Sequence, residues 1–102
     1  MARYINADKA IIEGECFITR DRPNGHEQGI NCGIRSVFKM LSDTTLRVPG
    51  TNNIDAETVI KMGKLLVNKG KLNKYQQGIN RGLNLMFWML SDSKRTPTIT
   101  LN

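Results

Sequence analysis

The chain has 102 residues, 15 Lys and Arg against 9 Asp and Glu, and a hydrophobic content of 39%. These values exclude a disordered chain and predict one globular domain with a modest core. The longest nearly apolar stretch, residues 83–90, is too short to span a membrane, and the first residues lack the apolar segment of a signal peptide. We therefore expect a cytoplasmic protein whose partners do not include a membrane.

An internal repeat organises the chain. When the sequence is compared with itself at an offset of 49 residues, ten of the 16 positions in residues 28–43 are identical to their counterparts in residues 77–92. The same offset aligns residues 5–8 with residues 54–57. This pattern predicts one domain over residues 1–102, made of a first repeat (5–43), a linker (44–53), a second repeat (54–92) and a tail (93–102).

Each repeat has the pattern of a helical hairpin. The first helix of each repeat begins after a capping residue, Asn6 or Asp55, with an acid in its first turn, where the helix dipole favours negative charge. Apolar residues then recur at helical spacing along both helices of both repeats. The sequence therefore predicts an all-α fold, a four-helix domain made of two tandem hairpins of about 49 residues with pseudo-twofold symmetry.

The loop inside each hairpin is basic and leads into the N-terminus of the second helix. Unsatisfied N–H groups at a helix N-terminus favour anions, so the two loops predict a duplicated site for phosphates or for an anionic partner, with Tyr75 stacking on a base. The alternative is that the loops are solvated surface and that Gln28 and Asn31 brace the helix start. The candidate residues are Arg20, Arg22, His26 and Gln28 in the first repeat and Lys69, Lys71, Lys74, Tyr75 and Gln77 in the second.

Glycines recur four residues apart in the second helix of each repeat, as Gly29 and Gly33 and as Gly78 and Gly82. Glycine inside a helix costs about 1 kcal/mol relative to alanine, which suggests compensation by close packing. We expect the two second helices to cross at these glycines. The alternative is a backbone surface that is offered to a flat ligand.

Two further segments differ from the helical pattern. Residues 44–48 in the linker and residues 96–101 in the tail are rich in threonine and branched side chains, which favour extended backbone. They predict a short β-ribbon between linker and tail, with Pro97 at its edge.

The second repeat carries apolar side chains all around its second helix. A helix that is apolar on every side is either central to a fold or shared with another chain. Leu85, Trp88 and Met89 are therefore candidates for a homodimer interface.

Catalytic and metal-binding motifs are missing from the sequence. Cys16 and Cys32 form no ligand cluster with His26, the single histidine, which predicts free thiols and no bound metal. The sequence contains no HExxH, Walker or GxGxxG motif. We expect a protein without a cofactor that is not an enzyme.

The opening stretch, Arg3-Tyr4-Ile5-Asn6-Ala7-Asp8-Lys9, resembles the "RYIDADKLI" start of many small uncharacterised proteins from phages and prophages of Gram-positive bacteria. A later helix in those proteins, "YNQGIxxAI", is similar to residues 75–79. The resemblance covers about a third of the chain. It implies a phage accessory gene that acts in the bacterial host cytoplasm, and small phage proteins of this type are often inhibitors of host defence or regulators.

Three functions follow as hypotheses. The first is a non-catalytic phage-type accessory protein that inhibits a host anti-phage defence factor by binding it, in the manner of an anti-CRISPR protein. Because the chain is basic, it would contact a host protein or nucleoprotein and would not mimic DNA. The second is a nucleotide or nucleic-acid binder, such as a sponge for a nucleotide immune signal. The third is a structural or assembly homodimer that associates through Trp88.

Overall fold

The computed structural model of the protein describes residues 3–92. This part of the chain is mostly helical, which confirms the predicted predominance of helix, and it also contains two short strands. In chain order the elements are β1 (Tyr4–Asn6), α1 (Ala7–Gly14), a 3₁₀ turn (Glu15–Phe17), α2 (Gly25–Leu41), β2 (Asn53–Asp55), α3 (Ala56–Lys64) and α4 (Lys74–Ser91).

Asparagine or aspartate begins each of these four helices. The Asn6 side chain accepts a hydrogen bond of 3.0 Å from the backbone of the third residue of α1. The Asp55 side chain accepts one of 3.0 Å from the second residue of α3. Such caps satisfy N–H groups that the helix itself leaves unpaired, and each is worth about 1 kcal/mol. The longer helices start with capping boxes, formed by Asn24 with Glu27 in α2 and by Asn73 with Gln76 in α4.

The two strands form a small antiparallel sheet that the sequence did not predict. β1 pairs with β2 in a register that places Ile5 opposite Ile54, and both side chains are fully buried. From the predicted linker strand, Arg47 forms one isolated bridge with Ile54. The predicted partner of that strand, residues 96–101, lies outside the described residues. In the described part, the extended pairing therefore joins the segments that precede α1 and α3.

The helices α2 and α4 approach each other closely at four glycines. A Cβ atom added to Gly29 would lie 2.1 Å from the carbonyl oxygen of Tyr75, and one added to Gly78 would lie 2.0 Å from a carbonyl oxygen of α2. The corresponding distances are 2.3 Å for Gly33 and 2.2 Å for Gly82. Because all four neighbours are backbone oxygens, no side-chain rotation can make room for a methyl group.

The helices α2 and α4 run parallel and begin at the same end of the molecule. Gly29 lies against the backbone of Tyr75 and Gly78, and Gly33 lies against Ile79 and Gly82. The residue numbers rise together along both helices, which defines a parallel pair in register. Both loops that lead into these helices consequently lie at one end of the pair.

The shorter helices α1 and α3 pack on this pair through glycine and phenylalanine. A Cβ atom on Gly14 would lie 2.6 Å from the ring of Phe38, and one on Gly63 would lie 2.5 Å from the ring of Phe87. The buried apolar side chains form one core, whose members are Ile5, Ala7, Ala10, Ile18, Ile34, Val37, Leu41, Ile54, Ala56, Val59, Ile60, Leu83, Met86, Phe87, Met89 and Leu90.

The prediction that Met89 belongs to a homodimer interface is wrong. Its side chain is only 1% exposed and belongs to this core, so it is not available to a second chain. Trp88 is 59% exposed, and Leu85 is half-buried beside it on the same side of α4. The apolar residues near the end of α4 therefore divide between the core and the surface, because the helix is covered on one side only.

Candidate anion-binding groove

The parallel arrangement of α2 and α4 brings the two basic loops to one end of the molecule. Lys69, Lys71 and Lys74 are exposed, and none of them forms an ion pair within residues 3–92. In the first loop, Arg20 forms an ion pair with Glu15, so the second loop carries more uncompensated charge.

The remaining first-loop candidates are Arg22 and His26. Arg22 is exposed and adopts a left-handed backbone with φ of 48°. His26 is half-buried in the first turn of α2, and its carbonyl oxygen packs against Gly78.

The two glutamines that were predicted to hold anions have structural partners in the loops. Gln28 Nε2 donates to the carbonyl of Pro23 at 3.1 Å, and Gln77 Nε2 donates to the carbonyl of Leu72 at the same distance. Each glutamine therefore ties the start of its helix to the preceding loop, which is the alternative that the sequence left open.

Asparagines one turn further along make a second brace. The Asn31 side chain accepts from the backbone N–H of Thr19 at 2.9 Å and donates to its carbonyl at 2.7 Å. Asn80 does the same with the backbone of Asn68, at 2.8 and 3.0 Å. In each case one side-chain amide bonds to both the N–H and the carbonyl of the same loop residue. This pair of hydrogen bonds holds each loop against its helix.

The helix N-termini are also partly satisfied. The capping box of α2 places the Glu27 carboxylate at the first turn, where it would repel a phosphate. In α4 the corresponding residue is the neutral Gln76. The two predicted corners are thus unequal, and the α4 end is more favourable to an anion.

A groove opens between the two long helices near this end. It has a volume of about 350 Å³ and is lined by Gln28, Cys32, Arg35, Ser36, Lys39 and Tyr75. The five α2 residues lie on one side of the helix, since Arg35 and Ser36 are adjacent and the steps from Gln28 to Cys32, to this pair and on to Lys39 are three or four positions. Tyr75 comes from the first turn of α4 and closes the end of the groove near the basic loops.

Tyr75 of α4 lies in the lining of the groove together with Cys32 of α2. A hydrogen bond between its hydroxyl and the Cys32 thiol, the electrostatic effect of that thiol and partial desolvation raise the pKa of Tyr75 above its ordinary value. The hydroxyl is therefore neutral at physiological pH. The residue is 43% exposed, and it lines the groove.

Two cations line the groove without an acidic partner. Arg35 and Lys39 are exposed and lie four residues apart on α2, a spacing at which like charges repel each other by about 0.2–0.5 kcal/mol. Within residues 3–92, neither side chain takes part in an ion pair or a hydrogen bond. The groove therefore contains positive charge that the described part of the protein does not neutralise.

The sequence did not single out Cys32, Arg35, Ser36 or Lys39 as site residues. Their common spacing along α2 was visible, but the position of Tyr75 beside them depends on the contact between α2 and α4. Ser36 Oγ donates to the carbonyl of Cys32 at 2.9 Å, so this hydroxyl is already used within the helix.

The described residues contain no cluster of three or more His, Cys, Asp or Glu that could hold a metal ion. Within the same part of the chain, no helix has the length and apolar character that a membrane span requires.

Comparisons with known protein families, with curated proteins and with solved structures give no match to this chain. The proposed function therefore depends on the residues of this chain and their arrangement.

Proposed function

We propose that this chain is a non-catalytic, phage-type accessory protein of the bacterial host cytoplasm, which inhibits a host defence factor by binding it. The basic end of the α2 and α4 pair would contact an anionic surface of a protein or nucleoprotein. The observation that supports this proposal is the parallel register of the two helices, which gathers both basic loops at one end. The resemblance of the first residues to phage proteins supplies the setting.

We also propose that the domain arose by tandem duplication of a hairpin, with pseudo-twofold symmetry between the halves. Support comes from hydrogen bonds that recur at an offset of 49 residues. Asn31 and Asn80 brace their loops in the same way, and so do Gln28 and Gln77. The two capping boxes correspond in the same manner.

The test of the inhibitory function uses a charge-loss variant and a matched control. The variant replaces Lys69, Lys71 and Lys74 by Gln, and the control replaces by Gln the residues Lys9, Lys61 and Lys64, which are also exposed but lie on α1 and α3. Both lose the same charge. We expect the wild-type protein and the control to raise the plating efficiency of a phage on a Gram-positive host with active defences, and we expect the loop variant to lose this effect.

The identity of the host factor is sought in parallel by affinity capture from the same cells. A protein that is retained by the wild type and the control but not by the loop variant is the expected target. Equal protection of the phage by the loop variant would contradict the proposed contact surface. The absence of any effect on plating by the wild-type protein across several defence systems would contradict the inhibitory function itself.

The second candidate is a nucleotide or nucleic-acid binder. The observation in its favour is the open Tyr75 ring beside two uncompensated cations in one groove. Fluorescence anisotropy with a labelled oligonucleotide tests it. Binding to the nucleic-acid backbone would weaken steeply with salt. In a plot of the logarithm of the association constant against the logarithm of salt concentration, each phosphate contact on a single strand contributes about −0.7 to the slope.

The third candidate, a homodimer, depends on the exposed Trp88 and on Leu85 beside it. Light scattering at high protein concentration tests this candidate. A monomer under those conditions would contradict the homodimer. A dimer that Trp88→Ala separates into monomers would support it.

A further inference from the structure

We infer that the groove between α2 and α4 binds a nucleoside phosphate, whose base stacks on Tyr75 and whose phosphate is held by Arg35 and Lys39. This inference concerns the second candidate function and does not depend on the inhibitory function. It assigns a binding role to Arg35 and Lys39, which the sequence did not single out, and combines them with Tyr75, which was predicted to stack on a base. The same chemistry is offered by a free nucleotide and by one unit of a single strand.

The charge of the groove selects an anion. Arg35 and Lys39 repel each other along α2 and have no acidic partner in residues 3–92. The groove lining contains no aspartate or glutamate. A phosphate between the two side chains would remove their repulsion and would accept charge-assisted hydrogen bonds from both. The arginine offers a planar fork that matches phosphate oxygens.

The aromatic end of the groove selects a flat ring. Tyr75 lines the groove beside Cys32, and 43% of the residue is exposed. An exposed ring at this place can stack on a nucleobase, and such stacking is worth about 1–3 kcal/mol per base. Gln28 uses its amide nitrogen to brace the loop, which leaves its amide oxygen to accept from an exocyclic amine.

The size of the groove limits the ligand. Its volume of about 350 Å³ lies at the small end of ligand pockets, which range from about 300 to 1,000 Å³. One nucleotide unit fits this range, whereas a duplex does not enter a groove of this size. The nucleoside phosphate is therefore bound through its base and its phosphate, with the sugar between them.

The positions offset by 49 residues do not repeat this chemistry. Arg35 and Lys39 correspond to Asn84 and Trp88, and Tyr75 corresponds to His26. The residues that form the core and the glycine contact stay similar in both halves, while the groove residues differ. The nucleotide site is therefore expected on one side of the helix pair only.

The experiment uses the two cysteines of the chain as reporters. Cys32 lies in the groove, and Cys16 is exposed on the 3₁₀ turn, outside the groove lining. The rate of alkylation of each thiol by iodoacetamide is measured by mass spectrometry in the intact protein. Added ligands are adenosine 5′-monophosphate, inorganic phosphate, adenosine and a short single-stranded oligonucleotide.

We expect adenosine 5′-monophosphate to slow the alkylation of Cys32 and to leave Cys16 unchanged. At a ligand concentration of about ten times Kd, the rate at Cys32 falls about tenfold, because only the unoccupied protein reacts. Phosphate and adenosine each protect only at much higher concentration. Protection by the free nucleotide identifies the free ligand as the source, and protection by the oligonucleotide alone identifies a strand.

Variants separate the two halves of the site. Arg35→Gln and Lys39→Gln each weaken protection about tenfold, while the control Arg81→Gln, an equal loss of charge on α4 outside the groove lining, changes it less than about twofold. Tyr75→Phe keeps the ring and preserves binding, whereas Tyr75→Leu weakens it by about fivefold or more. Circular dichroism verifies that each variant is folded.

Three results would overturn this inference. The first is equal protection of Cys32 by inorganic phosphate and by the nucleotide, since the ring would then contribute nothing. The second is unchanged protection in Arg35→Gln. The third is no protection by either nucleotide form. None of these results affects the test of the inhibitory function, which uses the loop lysines and phage plating.

Discussion

The contact between α2 and α4 can be tested by adding one methyl group. In Gly29→Ala the new Cβ atom would lie 2.1 Å from the carbonyl oxygen of Tyr75, whereas ordinary contacts begin at 3.4 Å. The two helices would have to separate by about 1.3 Å at this point, because the neighbour is backbone and cannot rotate away. A separation of this kind loosens the packing along the whole parallel pair.

The expected magnitude combines two opposing terms. Overpacking costs about 1–3 kcal/mol where side chains can adjust, and more where they cannot. Replacement of a helical glycine by alanine, on the other hand, stabilises the helix by about 1 kcal/mol. We therefore expect Gly29→Ala to lower the free energy of unfolding by about 2 kcal/mol or more, and to lower Tm by about 8 °C or more for a domain of this size.

A matched control lies in the same helix. Gly25 is in the first turn of α2, and nothing lies within 4 Å of a Cβ atom added there. Gly25→Ala should therefore leave stability unchanged or raise it by up to about 1 kcal/mol. Both variants are measured by urea denaturation and by thermal unfolding. A Gly29→Ala protein as stable as the wild type would refute the close contact between the helices.

The double variant Gly29→Ala with Gly78→Ala extends the same test. Both methyl groups would press on the same interface from opposite sides, at 2.1 and 2.0 Å from backbone oxygens. Once the first substitution has separated the helices, the second has less to displace. We expect the double variant to lose less stability than the two single losses combined. Additive losses would indicate that the two glycines do not share one contact.

Three further outcomes are expected. Asn31 is 4% exposed and bonds twice to the Thr19 backbone, so Asn31→Ala should lower the unfolding free energy in urea by about 1–3 kcal/mol. Trp88 is 59% exposed, so Trp88→Ala should cost well under the roughly 3–5 kcal/mol typical of a buried tryptophan in the same assay. Because the Cys32 side chain raises the pKa of Tyr75, the contribution of this interaction to stability is complete below the pKa of unfolded tyrosine and is lost as pH rises through the folded pKa. An ultraviolet titration should show one late-ionising tyrosine, which Tyr75→Phe removes.

The helices were predictable because their signals are local. A capping residue, an acid in the first turn and apolar residues at helical spacing specify each helix without reference to the rest of the chain. The four glycines were predictable for a related reason, since a repeated cost in helix propensity has to be compensated by packing. The structure places α4 against Gly29 and Gly33, with the helices parallel.

The sheet and the groove were not predictable in the same way. Residues 4–6 and 53–55 are too short to show an alternating pattern, and they pair only because α1 and α3 bring them together. Tyr75 is 43 residues away from Cys32 along the chain, so their contact follows from the register of α2 and α4. Spacing within α2 places Arg35 and Lys39 on one side of a helix but does not reveal what faces them.

The difference between the two sides of the helix pair bears on function. A fold that needs only stability would tolerate the same exposed residues at Lys39 and at Trp88, which are offset by 49 positions. Instead, one side carries two uncompensated cations and a half-exposed tyrosine, and the other carries an exposed tryptophan. Since exposed positions contribute little to stability, the fold permits this difference, and the two sides of the helix pair are free to bind different partners. The cationic side is then suited to a phosphate ligand, and the tryptophan side to a protein surface.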